Sequence, residues 1–120
     1  MDVGVIGAGA MGRNHVRVYS ELKSVGSVGV FDVNHATAED VGKRHGARVY
    51  DSVDALLAKA DAVSICVPTR DHAEIAKKAF AAQCSVLIEK PICATSQEAR
   101  DLMVAAPDDI CVGVGHIERF

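Results

Sequence analysis

The stretch DVGVIGAGAMG, residues 2–12, constrains this chain more than any other. An apolar run rich in valine and isoleucine stops at Gly7, and GAGAMG leads directly into a segment where Met11, His15, Tyr19 and Leu22 recur at helical spacing. Branched residues favour extended backbone, and a run that is apolar on both faces belongs in a sheet covered on both sides. The three glycines at the junction each have a use. Gly7 permits a tight turn, Gly9 lets something approach the backbone closely, and Gly12 lets the helix pack against the strand it has just left. A strand, a glycine-rich turn and a helix joined in this way open a βαβ unit, so the rest of the chain should continue the alternation.

It does so. SVGVFD (27–32), ARVY (47–50), DAVSICV (61–67), SVLIE (85–89) and ICVGVG (110–115) read as further buried strands. Between them, 35–45 reads as a helix stopped by Gly46, and 53–59 as a shorter one. Ile75, Ala79 and Ala82, with Phe80, mark another, and Thr95 to Glu98 fits a capping box that opens the last. Six strands alternating with five helices predict an α/β fold with a doubly wound, parallel six-stranded sheet. With 120 residues and 49% hydrophobic content the chain can bury one core, which predicts a single domain over 1–120. No repeat, low-complexity tract or linker interrupts it.

Charge and composition narrow the partners. Thirteen basic residues against sixteen acidic ones give a net charge of -3, with no basic block and only two tyrosines and three phenylalanines. Neither attraction to a phosphate backbone nor base stacking is on offer, so no nucleic-acid partner is expected. No apolar stretch approaches the roughly 20 residues needed to span a bilayer, and MDVGVIG lacks the basic start of a signal peptide. The expected location is cytoplasmic, with no membrane partner. Cys66, Cys84, Cys93 and Cys111 form no CxxC pair and three of them sit in or beside apolar runs, which predicts inert thiols and no metal site.

The glycine turn also has a chemical reading. A pyrophosphate needs a backbone it can approach and a helix start whose free N–H groups and dipole face its charge; Gly7, Gly9, Ala10, Met11 and Gly12 supply both. Asp32 lies 20 residues beyond Gly12 at the end of the second strand, suited to accept hydrogen bonds from ribose hydroxyls. It would repel a 2′-phosphate, and Val33, Asn34 and His35 include no arginine or lysine to hold one. The reading is a Rossmann fold that takes NAD in preference to NADP. Ligands of such sheets lie over the carboxyl ends of the strands, where VPTRDH (67–72) and EKP (89–91) stand. Pro68 stops the fourth strand, Thr69 is placed to cap the next helix, and His72 falls in that helix's first turn.

In this order and spacing, GVIGAGAMGRNH, VPTRDH and VLIEKP resemble the Gfo/Idh/MocA oxidoreductases, named for glucose-fructose oxidoreductase, inositol dehydrogenase and a rhizopine catabolism protein. The resemblance implies that Gly7, Gly9 and Gly12 hold the pyrophosphate and Asp32 the adenosine ribose. Val67, Pro68, Thr69 and His72 would meet the middle of the cofactor. Glu89 and Lys90 would lie near the nicotinamide ribose, Lys90 also reaching the substrate, and Pro91 would follow a cis bond. It further implies hydride transfer between NAD and a hydroxyl of a sugar or sugar derivative, with Lys90 as the catalytic residue. GHIERF (115–120) resembles a subgroup that includes enzymes of nucleotide-linked amino sugars, which points to a UDP-sugar. The resemblance covers only the first of the family's two domains; the second supplies most substrate contacts, a proton-accepting histidine and the oligomer interface. His116 is one candidate to replace that histidine, and a homo-oligomer or a second chain is the expected partner. The competing expectation is a free-standing, non-catalytic NAD-binding or redox-sensing module.

Overall fold

Val3 and Val5 point to one side of the first strand, and Gly4 and Ile6 to the other, so this strand must be covered twice. In the computed structural model, which describes residues 1–88 and 95–114, it is. The elements run β1 (Asp2–Ile6), α1 (Ala10–Glu21), β2 (Ser27–Phe31), α2 (His35–His45), β3 (Arg48–Val49), α3 (Val53–Leu57), β4 (Ala62–Ile65), α4 (His72–Ala81), β5 (Ser85–Ile88), α5 (Ser96–Ala105) and β6 (Val112–Val114). A 3-10 turn, Thr69–Asp71, precedes α4. The strands form one parallel six-stranded sheet in the order β3-β2-β1-β4-β5-β6. The order reverses between β1 and β4. Right-handed crossovers therefore send the helices of the two halves to opposite faces.

Burial follows this division. Val5, Val28 and Val30 pack with Val16 of α1 and with Ala38 and Val41 of α2. On the other face Ile6, Val63, Ile65, Val86 and Ile88 pack with Leu56 and Leu57 of α3, Ala76, Ala79 and Phe80 of α4, and Leu102 of α5. Full burial of each large side chain contributes about 1.5–3 kcal/mol, so truncating Ile65 or Ile88, both 0% exposed, removes support from the centre of the sheet. The fold class expected from the sequence is the one observed.

The edges and faces differ in detail. β3 is only two residues long, because an edge strand has one partner to hold it, here Gly29 and Val30 of β2. On α1 the buried residues are Gly12, His15 and Val16, while Leu22 lies beyond the helix and is 46% exposed. On α4, Ala76 and Phe80 are buried and Ala82 caps the exposed end. Thr69 does not cap α4: it begins the 3-10 turn, and no side chain caps either start. Gly46 ends α2 in the left-handed conformation with φ 70°, as its position suggested. Among the described residues no helix is long and apolar enough to cross a membrane.

Candidate functional site

Register fixes what stands at the carboxyl ends of the strands. Ile6 aligns with Phe31 on one side and Ile65 on the other, so Gly7, Asp32 and Cys66 emerge side by side. Backbone bonds from Gly7 N to Phe31 O and from Cys66 N to Ile6 O, both 2.8 Å, carry the alignment one residue past the strands. The first of the three then turns. Gly7 has φ 102°, and a Cβ on it would lie 2.6 Å from the Cys66 carbonyl oxygen. A Cβ on Gly12 would collide with the Gly7 carbonyl, so the start of α1 rests directly on the turn.

Gly9 is different. A Cβ there would meet nothing within 4 Å, so protein packing does not require glycine at this position. It is the N-cap of α1, has no side chain to close the helix and is followed by no acid in the first turn. The first helical bond runs from Arg13 N to Gly9 O at 2.9 Å. The N–H groups of Ala10, Met11 and Gly12 are thus not capped by a side chain, and the positive end of the helix dipole is open to an anion. By contrast Asn34 caps α2 on Thr37 N (3.3 Å), Ser52 caps α3 on Ala55 N (3.0 Å) and Thr95 caps α5 on Glu98 N (3.1 Å).

Asp32 ties the two loops of this region together. Its Oδ2 accepts from Ala8 N at 2.7 Å, within the glycine turn, and its Oδ1 from Asn34 N at 2.8 Å, at the start of α2. Each carboxylate oxygen can accept about two hydrogen bonds, so both keep capacity toward solvent. The carboxylate is therefore held in one orientation while it can still receive hydroxyl donors.

A cleft of about 520 Å³ opens between these loops. Of the residues expected from the sequence, it is lined by Gly7, Gly9, Asp32, Val67 and Pro68. Ala10, Met11, Gly12, Thr69 and His72 are not in its lining. His72 is 2% exposed, and its Nε2 donates to the Val67 carbonyl at 2.8 Å, bracing the backbone of the cleft wall from beneath. Arg70, Asp71, Cys66 and Val33 line the cleft and were not singled out by sequence reasoning. The signal for Arg70 and Asp71 was their place in VPTRDH, immediately after a strand end. Glu89, Lys90, Pro91 and His116 lie outside the described residues.

Beneath α1 a buried polar cluster joins helix to sheet. Ser64 of β4 lies 2.9 Å from His15 Nδ1 and 2.6 Å from the Tyr19 hydroxyl, with His15 and Ser64 both 0% exposed. Buried polar groups persist where they are hydrogen-bonded, and this cluster fixes how far α1 is rotated on the sheet. At the opposite, amino end of the sheet, burial pushes the Cys84 thiol above its ordinary value, and the nearby Asp61 charge adds to the rise. This thiol points at the carbonyls of Ala60 (3.2 Å) and Leu57 (3.7 Å), away from the cleft.

Comparison with known proteins agrees with this geometry. Residues 1–116 match a family described as oxidoreductases with an NAD-binding Rossmann fold. UDP-N-acetylglucosamine 3-dehydrogenase of Acidithiobacillus ferrooxidans is 41% identical over 120 residues, which are 99% of this chain and 38% of that protein. Its solved structure superposes with a TM-score of 0.90 at 40% identity, over 99% of this chain and 39% of that one. The myo-inositol dehydrogenase of Lactobacillus casei, solved with NAD(H) and myo-inositol, gives a TM-score of 0.88 at 30% identity, over 96% of this chain and 36% of that one. GenD2 of gentamicin A biosynthesis, solved with NAD, gives 0.90 at 32% identity, over 96% and 34%. The chain thus spans under two fifths of the length of these relatives.

Proposed function

This chain belongs to the Gfo/Idh/MocA oxidoreductase family, with its NAD-binding Rossmann fold, and we propose that its residues 1–120 form the cofactor domain of an NAD-dependent dehydrogenase of sugars or sugar nucleotides. One observation carries the cofactor assignment: the Cβ position of Gly9 opens onto free space beside an uncapped helix start, with a fixed carboxylate nearby. That is a cradle for a pyrophosphate with a ribose next to it.

In this proposal Gly7, Gly9, Ala10, Met11 and Gly12 bind the pyrophosphate, and Asp32 accepts from the adenosine ribose hydroxyls. Val67, Pro68 and Thr69 bound the middle of the cofactor, and His72 holds the Val67 carbonyl in place. NAD, once bound, supplies the hydride acceptor. Lys90, with Glu89 beside it in sequence, is assigned to hold the reacting hydroxyl and take part in moving its proton, and Pro91 to shape that end of the cofactor site. The substrate class, a hydroxyl of a sugar or a UDP-sugar, is taken from the relatives named above. The proposed partner is a second copy in a homo-oligomer or a second chain, and turnover is assigned to the assembly in which the substrate side of the cleft is present.

Asp32 favours NAD over NADP because a 2′-phosphate would meet a carboxylate already oriented by two backbone N–H groups. Calorimetric titration with NADH and NADPH tests this. Tighter binding of NADH by about tenfold or more is expected, and equal dissociation constants would refute the preference. Lys90→Ala should leave NADH affinity within a few-fold while removing turnover of the complete assembly.

A further inference from the structure

Ala8 sits between two glycines, Gly7 and Gly9, yet it is buried and both of its backbone polar groups are held by side chains. Its N–H donates to Asp32 Oδ2 at 2.7 Å, and its carbonyl accepts from Arg13 Nε at 3.3 Å. Arg13, in α1, thus takes two successive carbonyls of the glycine turn, since its own N–H donates to Gly9 O. The far end of its guanidinium is steered by Asp40 of α2, whose Oδ2 lies 3.9 Å from Arg13 Nη1. Gly9 lines the cleft, and Ala8 and Arg13 do not.

We propose that Arg13 is a positioning residue for the pyrophosphate, which holds the Ala8–Gly9 peptide with its N–H toward the cleft and does not itself touch the ligand. The inference rests on the cofactor assignment above and adds what keeps the glycine turn in its binding conformation. A trans peptide points its carbonyl and its N–H in opposite directions. Drawing the Ala8 carbonyl toward Arg13 therefore turns the Gly9 N–H the other way, to the side on which Gly9 borders the cleft. Glycine does not maintain this by itself. With no Cβ at Gly9, the peptide is free to flip and present its oxygen to the cleft, where it would repel an anion. The flip forfeits the bond to Arg13, and that cost selects the binding form. A competing use of Arg13, attraction of the pyrophosphate by charge alone, is disfavoured by Asp40 beside the guanidinium and by the absence of Arg13 from the cleft lining.

The test is calorimetry with NADH on the 120-residue chain and three variants, with thermal melts to confirm folding. Glutamine carries its amide nitrogen as many bonds from the backbone as arginine carries Nε, but without the charge; lysine keeps the charge and places a methylene there. The Arg13 side chain is 46% exposed, so all three variants should fold. Arg13→Ala and Arg13→Lys should each weaken NADH by about three- to tenfold, and Arg13→Gln should stay within about twofold of wild type. Wild-type binding with unchanged affinity in Arg13→Ala, whatever its melting temperature, makes the contact structural only; it overturns the positioning role and leaves the cofactor assignment standing. Affinity kept by lysine and lost with glutamine makes Arg13 a charge partner of the anion and also overturns it. No binding of NADH by folded wild type overturns both.

Discussion

The two ends of the parallel sheet use similar chemistry to opposite effect. At the amino end, Asp2 and Asp61 are consumed by the protein itself: Asp2 N donates to Asp61 Oδ2 at 2.8 Å, Ser27 Oγ donates to Asp2 Oδ1 at 2.9 Å, and Asp61 N donates to Asp2 O at 2.8 Å. Cys84 is sealed beneath Leu57 and Ala60. At the carboxyl end, Asp32 also takes two backbone N–H groups, but it faces a cleft, beside a helix start that no side chain closes. The difference teaches that a parallel sheet assigns its ends unequally. Helices that follow strands point their N-termini to the carboxyl end, so unmet N–H groups collect there and the amino end can be stitched shut.

The largest break in that contrast is expected from Gly9→Val. Its Cβ enters open space, so the apo fold should persist, with a melting temperature within a few degrees of wild type, while NADH affinity falls by at least about a hundredfold. Next is Asp32→Ala, which removes the ribose acceptor and leaves Ala8 N and Asn34 N without their partner. NADH binding should weaken by about tenfold and stability should drop by about 1 kcal/mol in urea unfolding. At the other end, Asp61→Ala should cost only about 0.5–1 kcal/mol of stability and leave the NADH dissociation constant unchanged. A binding loss as large as that of Asp32→Ala would erase the distinction between the ends.

The smallest effect is a pH dependence. The folded-state value of Cys84 is raised, so the unfolded thiol releases its proton first, at its ordinary value of 9.0. The contribution is fully present below that pH and is lost as pH rises from there toward the folded value, at up to about 1.4 kcal/mol per pH unit. Urea midpoints measured across this window should fall more steeply in wild type than in Cys84→Ala, and parallel slopes would remove Cys84 as the cause.

The features legible in the sequence were those whose cause is local. The glycine turn, the stop at Gly46 and the Thr95 cap announce themselves because each depends on the conformation of a few adjacent residues. Valine-rich runs gave the strands, since a doubly covered strand has no polar face. What depended on distant placement did not show. Helical spacing marked His15 and the glycine turn marked Gly12, but the partner that helps set the rotation of α1, Ser64 on β4, lies 49 residues from His15 and leaves no local signal. His72 looks like a polar residue of a first helical turn, and becomes a buried brace only because the chain curls back over Val67. Arg70 joins Asp32 at one cleft only through the strand order, which places β1 between their loops. Glu89, Lys90 and Pro91 remain assignments of sequence and family.

The most direct measurement is a calorimetric titration of NADH into wild type and Gly9→Val side by side, with thermal melts of both. Binding by wild type, and none by an equally folded Gly9→Val, is the expected result. Equal affinity in the two proteins would mean that the open helix start of α1 is not where the dinucleotide lies.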